Sequence, residues 1–277
     1  MGLRINTNVS SIAAQRSLGI NKFNTDNNLR KLASGERITR ASDDAAGLAI
    51  SEKLKGHIRG MRQAKRNTED GISLIQTAEG GLSEVSNIIV RLRELAVQAA
   101  SDTVGDTERG FSNIEFQQLK NEIDRISRGL DFNGRKLLDG SGGVVDIQVG
   151  IHNSPVQDRI TYDSTTTDAT ILALGLNAEE IASKEGAQLT LGKLDQALER
   201  VSGVRANLGA IQNRLLSASN NLAISDENLS AANSRIRDVD VAAETAELAK
   251  NNILNQASVS VLAQANNAPQ FALKLLS

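Results

Sequence analysis

The sequence predicts a mainly α-helical fold, a long antiparallel helical coiled-coil bundle with a small β-hairpin region at about residues 140–176. Apolar residues recur at steps of three and four over long stretches, which is the spacing of coiled-coil helices. Aromatic residues make up only 2% of the chain, so its core must come from aliphatic side chains, which suits helices packed side by side. The two prolines, Pro155 and Pro269, lie outside the long periodic stretches and permit uninterrupted helices.

The N-terminal part of the chain predicts a helix, a connector and a much longer helix. The first helix spans residues 3–33, and the break at Ser34-Gly35 opens a connector that runs to Ala41. Ser42-Asp43-Asp44 supplies an N-cap and negative charge for the second helix, which continues to about Ala100. Glycines inside that helix cost up to ~1 kcal/mol each relative to alanine, and either close packing or local breaks would explain them. They are Gly56, Gly60, Gly71, Gly80 and Gly81.

The middle of the chain predicts a turn, a third helix and a hairpin. Residues 101–106 form the turn, and apolar residues at steps of three and four follow it. They are Phe116, Leu119, Ile123, Ile126 and Leu130. Turn residues then precede an alternation of period two around Ile147, which predicts a strand that returns at Arg159–Tyr162. Residues 140–176 therefore form the hairpin region, with residues 164–170 as a polar loop.

The last long segment has the most regular pattern, with apolar or small residues alternating at three and four positions from Val201 to Ala246. Leu, Ile and Val dominate as far as Leu229 and Ala after it, which predicts a core within one chain that gives way to weaker packing.

Periodic apolar patterns at both ends of the chain indicate partners outside the monomer. We predict a terminal assembly seam in which the two ends contact each other and other copies. Its residues are Ile5, Val9, Ile12, Ile20, Phe23, Ile236, Val239, Ala243, Ala246, Ile253, Ala257 and Val261.

The motifs argue against an enzyme. The chain contains no cysteine, so disulfides, thiolate zinc sites and cysteine nucleophiles are excluded. His57 and His152 have no second ligand at metal-binding spacing and are predicted to be structural or solvated. Gly140–Gly143 lacks the Lys-Ser/Thr ending of a phosphate loop, and Asp43-Asp44 fits a helix cap better than an acid–base pair. We therefore predict no catalytic, cofactor-binding or metal-binding residues.

The charge and hydropathy patterns exclude two classes of partner. A formal net charge of −2 provides no basic surface for nucleic acid or for an anionic membrane. No apolar run approaches the roughly 20 residues of a membrane span, so membrane insertion is not expected. The N-terminus also lacks the basic and apolar regions of a secretory signal, so export would need another route.

Several runs of residues identify a family when they are taken together. The N-terminal half contains Arg4–Asn8, Leu32–Gly35, Asp43–Ile50, Asn67–Ser73, Arg93–Gln98 and Asn121–Ile126. The C-terminal half contains Leu208–Arg214 and Ser260–Asn266. In this order the runs closely resemble the two ends of bacterial flagellin, over nearly the whole chain. Longer flagellins carry large variable outer domains between these ends, and here only a short stretch to about Lys184 separates them. The chain thus resembles a minimal flagellin.

The resemblance implies a structural subunit that polymerises into the extracellular flagellar filament, the helical propeller for swimming. It implies export in an unfolded state through the type III channel of the flagellum and assembly at the tip under a cap. Residues 1–40 and 237–277 would form a split terminal coiled-coil domain that lines the inner tube. Residues 41–236 would form a rod domain with the hairpin inserted at 140–176. The implied partners are other copies, an export chaperone, the cap and the hook-junction proteins.

The resemblance also assigns a role to one charged helix face. Arg91, Leu95 and Glu115 match positions through which many flagellins engage the vertebrate Toll-like receptor for flagellin, and the same surface is buried between subunits of the filament. Without the resemblance, Arg91 and its neighbours indicate only a solvated helix face. Two alternatives remain for the chain as a whole. A hook–filament junction protein has similar ends, and a secreted enzyme on this scaffold would need an inserted domain for which there is no room.

Overall fold

The computed structural model describes residues 7–274, with side chains described for residues 7–268, and in this range the chain is mainly helical. The helices are α1 (Val9–Ser34), α2 (Ala45–Ala99), α3 (Asp106–Gly129), α4 (Ile171–Leu174), α5 (Lys184–Arg237) and α6 (Val241–Lys274). The strands are β1 (Asp131–Phe132), β2 (Arg135–Lys136), β3 (Val144–Gln148) and β4 (Arg159–Asp163), with a 3-10 helix at Ser164–Thr167. The predicted class of long helices with a small hairpin region is confirmed.

Two small antiparallel pairs make up the β structure of the described residues. Strands β1 and β2 are joined by Asn133-Gly134, where both residues have positive φ (51° and 78°), as a tight two-residue hairpin turn requires. Strands β3 and β4 pair with Ile147 opposite Ile160. The predicted loop at 164–170 instead begins with the 3-10 helix, because Asp163 caps it by accepting a hydrogen bond from the Thr165 N–H at 2.9 Å.

The chain divides into two compact units. The terminal unit contains the described residues of 1–56 and 228–277, and the central unit contains residues 57–227. Both divisions fall inside a helix, α2 and α5, whereas the sequence predicts domains that change at residues 40 and 237. The predicted domains refer to places in an assembly, which the compactness of one chain does not report, and they stay a prediction.

The central unit has an aliphatic core shared by α2, α3, α5 and the hairpin region. The predicted α5 seam is part of it, with Val201, Leu208 and Leu215 buried. Tyr162, the one tyrosine of the chain, is fully buried and donates a hydrogen bond to the Leu137 carbonyl at 2.6 Å. Burial raises the pKa of this phenol. The segment before α5 is held to α3 by Lys120, which donates to the Glu179 carbonyl at 2.9 Å.

The glycines of α2 have two different environments, and none of them breaks the helix. A Cβ atom at Gly71 would lie 2.7 Å from Ile147 Cδ1, and one at Gly81 would lie 2.7 Å from Leu130 Cδ2. At Gly60 the neighbour is Ile151, at 3.0 Å. These three glycines allow the hairpin region and the end of α3 to approach the helix closely. A Cβ at Gly56 or Gly80 would meet open space, and packing does not explain either residue.

Alanine substitutions should separate these environments. We expect Gly80→Ala to raise the free energy of unfolding by up to about 1 kcal/mol, because it adds helix propensity without a clash. Gly71→Ala should lower it by about 1 kcal/mol, because the methyl group collides with the buried, β-branched Ile147 and this cost exceeds the propensity gain. Urea denaturation of the monomer followed by circular dichroism measures both. Equal stabilisation by the two substitutions would contradict the close approach at Gly71.

Candidate assembly interface

The connector that follows α1 and the connector that precedes α6 are joined by backbone hydrogen bonds. Helix α1 ends at Gly35, whose φ of 71° lets its N–H reach the Lys31 carbonyl at 2.9 Å. Glu36 and Asp238 then form an isolated antiparallel bridge. The Arg37 N–H donates to the Arg237 carbonyl at 2.6 Å, and the Val239 N–H donates to the Gly35 carbonyl at 3.0 Å. The segment after α1 is therefore tied to the segment before α6.

Arg237 strengthens this junction from its side chain, which is mostly buried. The guanidinium donates to Glu52 on α2 and, at 3.1 Å, to Glu36 of the connector. These hydrogen bonds raise the pKa of Arg237. On the α2 side of the connector, hydrogen bonds from the backbone N–H of Arg40 and from Thr39 lower the pKa of Asp43. We call Glu36, Arg37, Glu52, Arg237 and Asp238 the connector clasp.

The junction also ends α5 and starts a new helix in a different phase. Asp240 caps α6, because its Oδ1 accepts hydrogen bonds from the Ala242 N–H at 2.9 Å and the Ala243 N–H at 3.2 Å. The heptad of α5 therefore does not continue into α6. Ala243 and Ala246 of the predicted seam are exposed in the single chain, and their place in contacts between copies stays a prediction. The less exposed positions of α6 start one residue later, at Glu244.

Helices α1 and α6 pack against each other through a seam that is largely polar. On both helices the less exposed residues include a set that follows a heptad spacing. On α1 they are Ser11, Ala14, Leu18, Asn21, Thr25, Asn28 and Leu32, and on α6 they are Glu244, Leu248, Asn251, Asn255, Ser258, Leu262 and Ala265. We call these two sets the polar seam.

Side-chain hydrogen bonds cross the polar seam along its length. Ser11 Oγ donates to Asn266 Oδ1 at 2.7 Å, next to the seam position Ala265. Asn21 Nδ2 donates to Ser258 Oγ at 2.9 Å. Asn255 Nδ2 donates to Thr25 Oγ1 at 2.8 Å. A helix pair held mainly by such bonds gains little net stability in water, because each bond replaces one to solvent.

Most of the predicted terminal assembly seam lies outside this pairing face. Phe23 is 61% exposed and Ile253 is 66% exposed. Val9, Ile12, Ile20, Ala257 and Val261 are also exposed, Ile236 and Val239 are half-buried, and Ile5 lies outside the described residues. The exposed residues do not join α1 to α6 in the single chain, and their role in contacts between copies stays a prediction. Sequence reasoning missed the polar seam because it counted only apolar residues, although the same spacing is present among Asn, Ser, Thr and Ala.

Of the three predicted contact residues on α2 and α3, the structure brings Arg91 and Glu115 together on the surface but buries Leu95. Arg91 Nη2 donates to Glu115 at 2.9 Å, and Arg91 Nη1 donates to Glu94 at 2.9 Å. These bonds raise the pKa of Arg91. Leu95 is 3% exposed and belongs to the core, so it does not present its side chain on this surface. Sequence reasoning missed Phe111 and Ile114, which are exposed on the helix that carries Glu115.

The two histidines of the chain lie next to each other. The rings of His57 and His152 meet edge to face, with centroids 6.0 Å apart. Among residues 7–268, no three His, Asp or Glu side chains are grouped in a way that could hold a metal ion. Of the helices in the described range, none is both long enough and apolar enough to cross a membrane.

Comparison with known families matches both ends of the chain. Residues 5–142 match the model of the bacterial flagellin N-terminal helical region, and residues 191–276 match that of the C-terminal helical region. Flagellin of Halalkalibacterium halodurans is 49% identical over 98% of this chain and 99% of that protein. Flagellin of Bacillus subtilis is 44% identical over 99% of this chain and 100% of that protein.

Solved structures agree with these sequence relatives. A crystal structure of Bacillus cereus flagellin matches with a TM-score of 0.51 and 32% identity, over 57% of this chain and 88% of that one. A flagellar hook-associated protein described as putative, from Vibrio parahaemolyticus, matches with a TM-score of 0.58 over 71% of this chain and 100% of that one. At 14% identity the second match supports the fold alone.

Proposed function

The chain belongs to the bacterial flagellin family, and from this we propose how its surfaces build a filament. It is a structural subunit that assembles with its own copies into the extracellular flagellar filament, and it is not an enzyme. A hook-junction role has no better support, since the hook-associated relative shares only the fold. The finer proposal is that the exposed apolar side chains of α1 and α6 make the main contacts between copies.

The exposure of these side chains on both terminal helices supports this proposal most directly. Phe23, Ile20 and Ile253 are more than half exposed in the single chain. Burying one such side chain contributes roughly 1.5–3 kcal/mol, so copies that bury several of them gain what the polar seam does not supply. Groups of exposed apolar side chains commonly mark protein contact surfaces.

The connector clasp supports the proposed division into an inner and an outer part. Residues 1–40 and 237–277 would line the inner tube, and residues 41–236, with the hairpin at 140–176, would form the outer part. The clasp bonds Arg37 to Ile236 and Arg237, next to both proposed boundaries. With the clasp in place, the terminal helices could pack against other copies without a change in the aliphatic core of the central unit.

Weak pairing of the ends also supports export as an unfolded chain. Contacts between α1 and α6 join residues more than 200 positions apart, so closing them costs chain entropy that a polar seam offsets poorly. We propose that an export chaperone covers the apolar side of α6 before export. The filament cap and the hook-junction proteins would meet the same exposed side chains during assembly.

Substitution of one exposed residue tests the proposed contacts between copies. We expect Ile253→Ser to change the stability of the monomer by less than about 0.5 kcal/mol, because the residue is 66% exposed, and to abolish filaments. Leu172→Ser is the matched control, since Leu172 is 75% exposed on α4. Electron microscopy after salt-induced assembly, together with urea denaturation, measures both effects. The proposal would be contradicted if Ile253→Ser formed filaments at normal yield, or if Leu172→Ser lost filaments to the same extent.

We also propose the Arg91–Glu115 face as a contact for the vertebrate Toll-like receptor for flagellin. The support is the exposed ion pair on α2 and α3, with Leu95 beneath it as a core residue. Arg91→Ala should reduce receptor signalling by monomer at least about tenfold, while the monomer stays folded, because exposed ion pairs contribute little to stability. Arg125→Ala, which breaks the exposed α3 pair with Glu122, is the control. Unchanged signalling by Arg91→Ala in a reporter-cell assay would refute the contact.

A further inference from the structure

The most enclosed polar contact of the terminal helices is a pair of asparagines. Asn28 is 6% exposed and Asn251 is 3% exposed, the lowest exposures on their helices among residues 7–268. With the Asn28 amide oriented to suit its neighbours, Asn251 Nδ2 donates to Asn28 Oδ1 at 3.1 Å. Asn28 Nδ2 then donates to Glu244 Oε1 at 3.1 Å and to the Asn24 carbonyl at 3.0 Å. The Asn28 amide thus has partners for both its nitrogen and its oxygen, and Asn251 supplies one of them.

A buried amide pair of this kind discriminates between alignments of two helices. Apart from four leucines and Glu244, the rest of the polar seam is a series of small, hydroxyl or amide side chains that could exchange partners after a slip. A slip of three or four residues in one direction would place Asn28 opposite Leu248, and in the other direction it would place Asn251 opposite Leu32. In either case a buried amide would face an apolar side chain and lose its partner. Unpaired buried amides are costly, and single buried asparagines are known to fix coiled-coil register.

We infer that Asn28 and Asn251 set the register of α1 against α6 and, through it, the alignment of the apolar side chains that each copy presents. This inference rests on the proposed function of the terminal helices. Phe23 on α1 and Ile253 on α6 lie within five residues of the asparagine pair, so a slip displaces the exposed residues of one helix relative to those of the other. Asn28 and Asn251 thus select one alignment of α1 with α6, and the exposed apolar side chains of the two helices supply the free energy of assembly.

The absence of cysteine in the chain allows the register to be read by engineered disulfides. Asn21→Cys with Ser258→Cys reports the native register, because these side chains touch at 2.9 Å. Asn21→Cys with Leu262→Cys, or with Asn255→Cys, reports slips of four and three residues. Each pair is built into the full-length chain, oxidised both as monomer and after assembly, and read as an intramolecular link by mass spectrometry.

The test compares these reporters in the unchanged background, in Asn28→Leu/Asn251→Leu and in the control Asn252→Leu, whose site is exposed. We expect the ratio of native to slipped links to fall by about tenfold in the double variant, since losing one buried amide pair removes roughly that preference, and to stay unchanged in the control. Since links are read in the monomer as well, a variant that fails to assemble still reports its register.

Two outcomes separate the inference from its premise. If the double variant keeps the unchanged ratio of native to slipped links, whether or not it assembles, the asparagines do not set the register. The proposed apolar contacts between copies would then still stand. If filaments of the unchanged background lack the 21–258 link, the pairing of α1 with α6 in the filament is itself wrong, and the proposed function of the terminal helices fails with it.

Discussion

The structure depends on how the two terminal helices divide polar and apolar contacts. Within one chain, α1 and α6 meet through asparagine, serine and threonine side chains together with four leucines, while Phe23, Ile20, Ile253 and other large apolar side chains remain exposed. Hydrogen bonds of this kind specify an arrangement without adding much stability, whereas apolar burial adds stability without fixing direction. Under the proposed function, the chain uses the first kind of contact mainly within itself, keeps the second for its copies and is completed by its neighbours.

The central unit shows the opposite balance. Leu92, Leu208 and Phe116 are fully buried, and the hairpin region packs against α2 where glycines allow it. This core is buried within one chain, although Phe111 and Ile114 of the same unit remain exposed. The connector clasp joins the segment after α1 to the segment before α6 through Arg237 and the bridge of Glu36 with Asp238. The clasp fixes where the α5 heptad ends and where the new phase of α6 starts.

Sequence reasoning correctly predicts the features that depend on one local pattern of residue spacing or turn residues. Helix α2, its cap at Asp44, the pairing of β3 with β4 and the aliphatic α5 seam all follow from spacing and turn chemistry. It fails where the signal comes from the tertiary context. Asp240 caps α6 and starts it in a new phase, which extrapolating the α5 heptad does not reveal. Leu95 has the residue type of a contact site, but packing places it in the core. The polar seam has heptad spacing, yet polar residues at such positions become meaningful only when the partner helix is known.

The central claim is that the terminal helices are stabilised by other copies and not by their own pairing. Amide hydrogen exchange of residues 9–34 and 241–268, measured in monomer and in filaments, tests this most directly. The account predicts that both helices pair only weakly in the monomer and exchange far faster there than in the filament, where they are strongly protected, with α3 and the α5 seam protected in both. Equal and strong protection of the terminal helices in dilute monomer would contradict it.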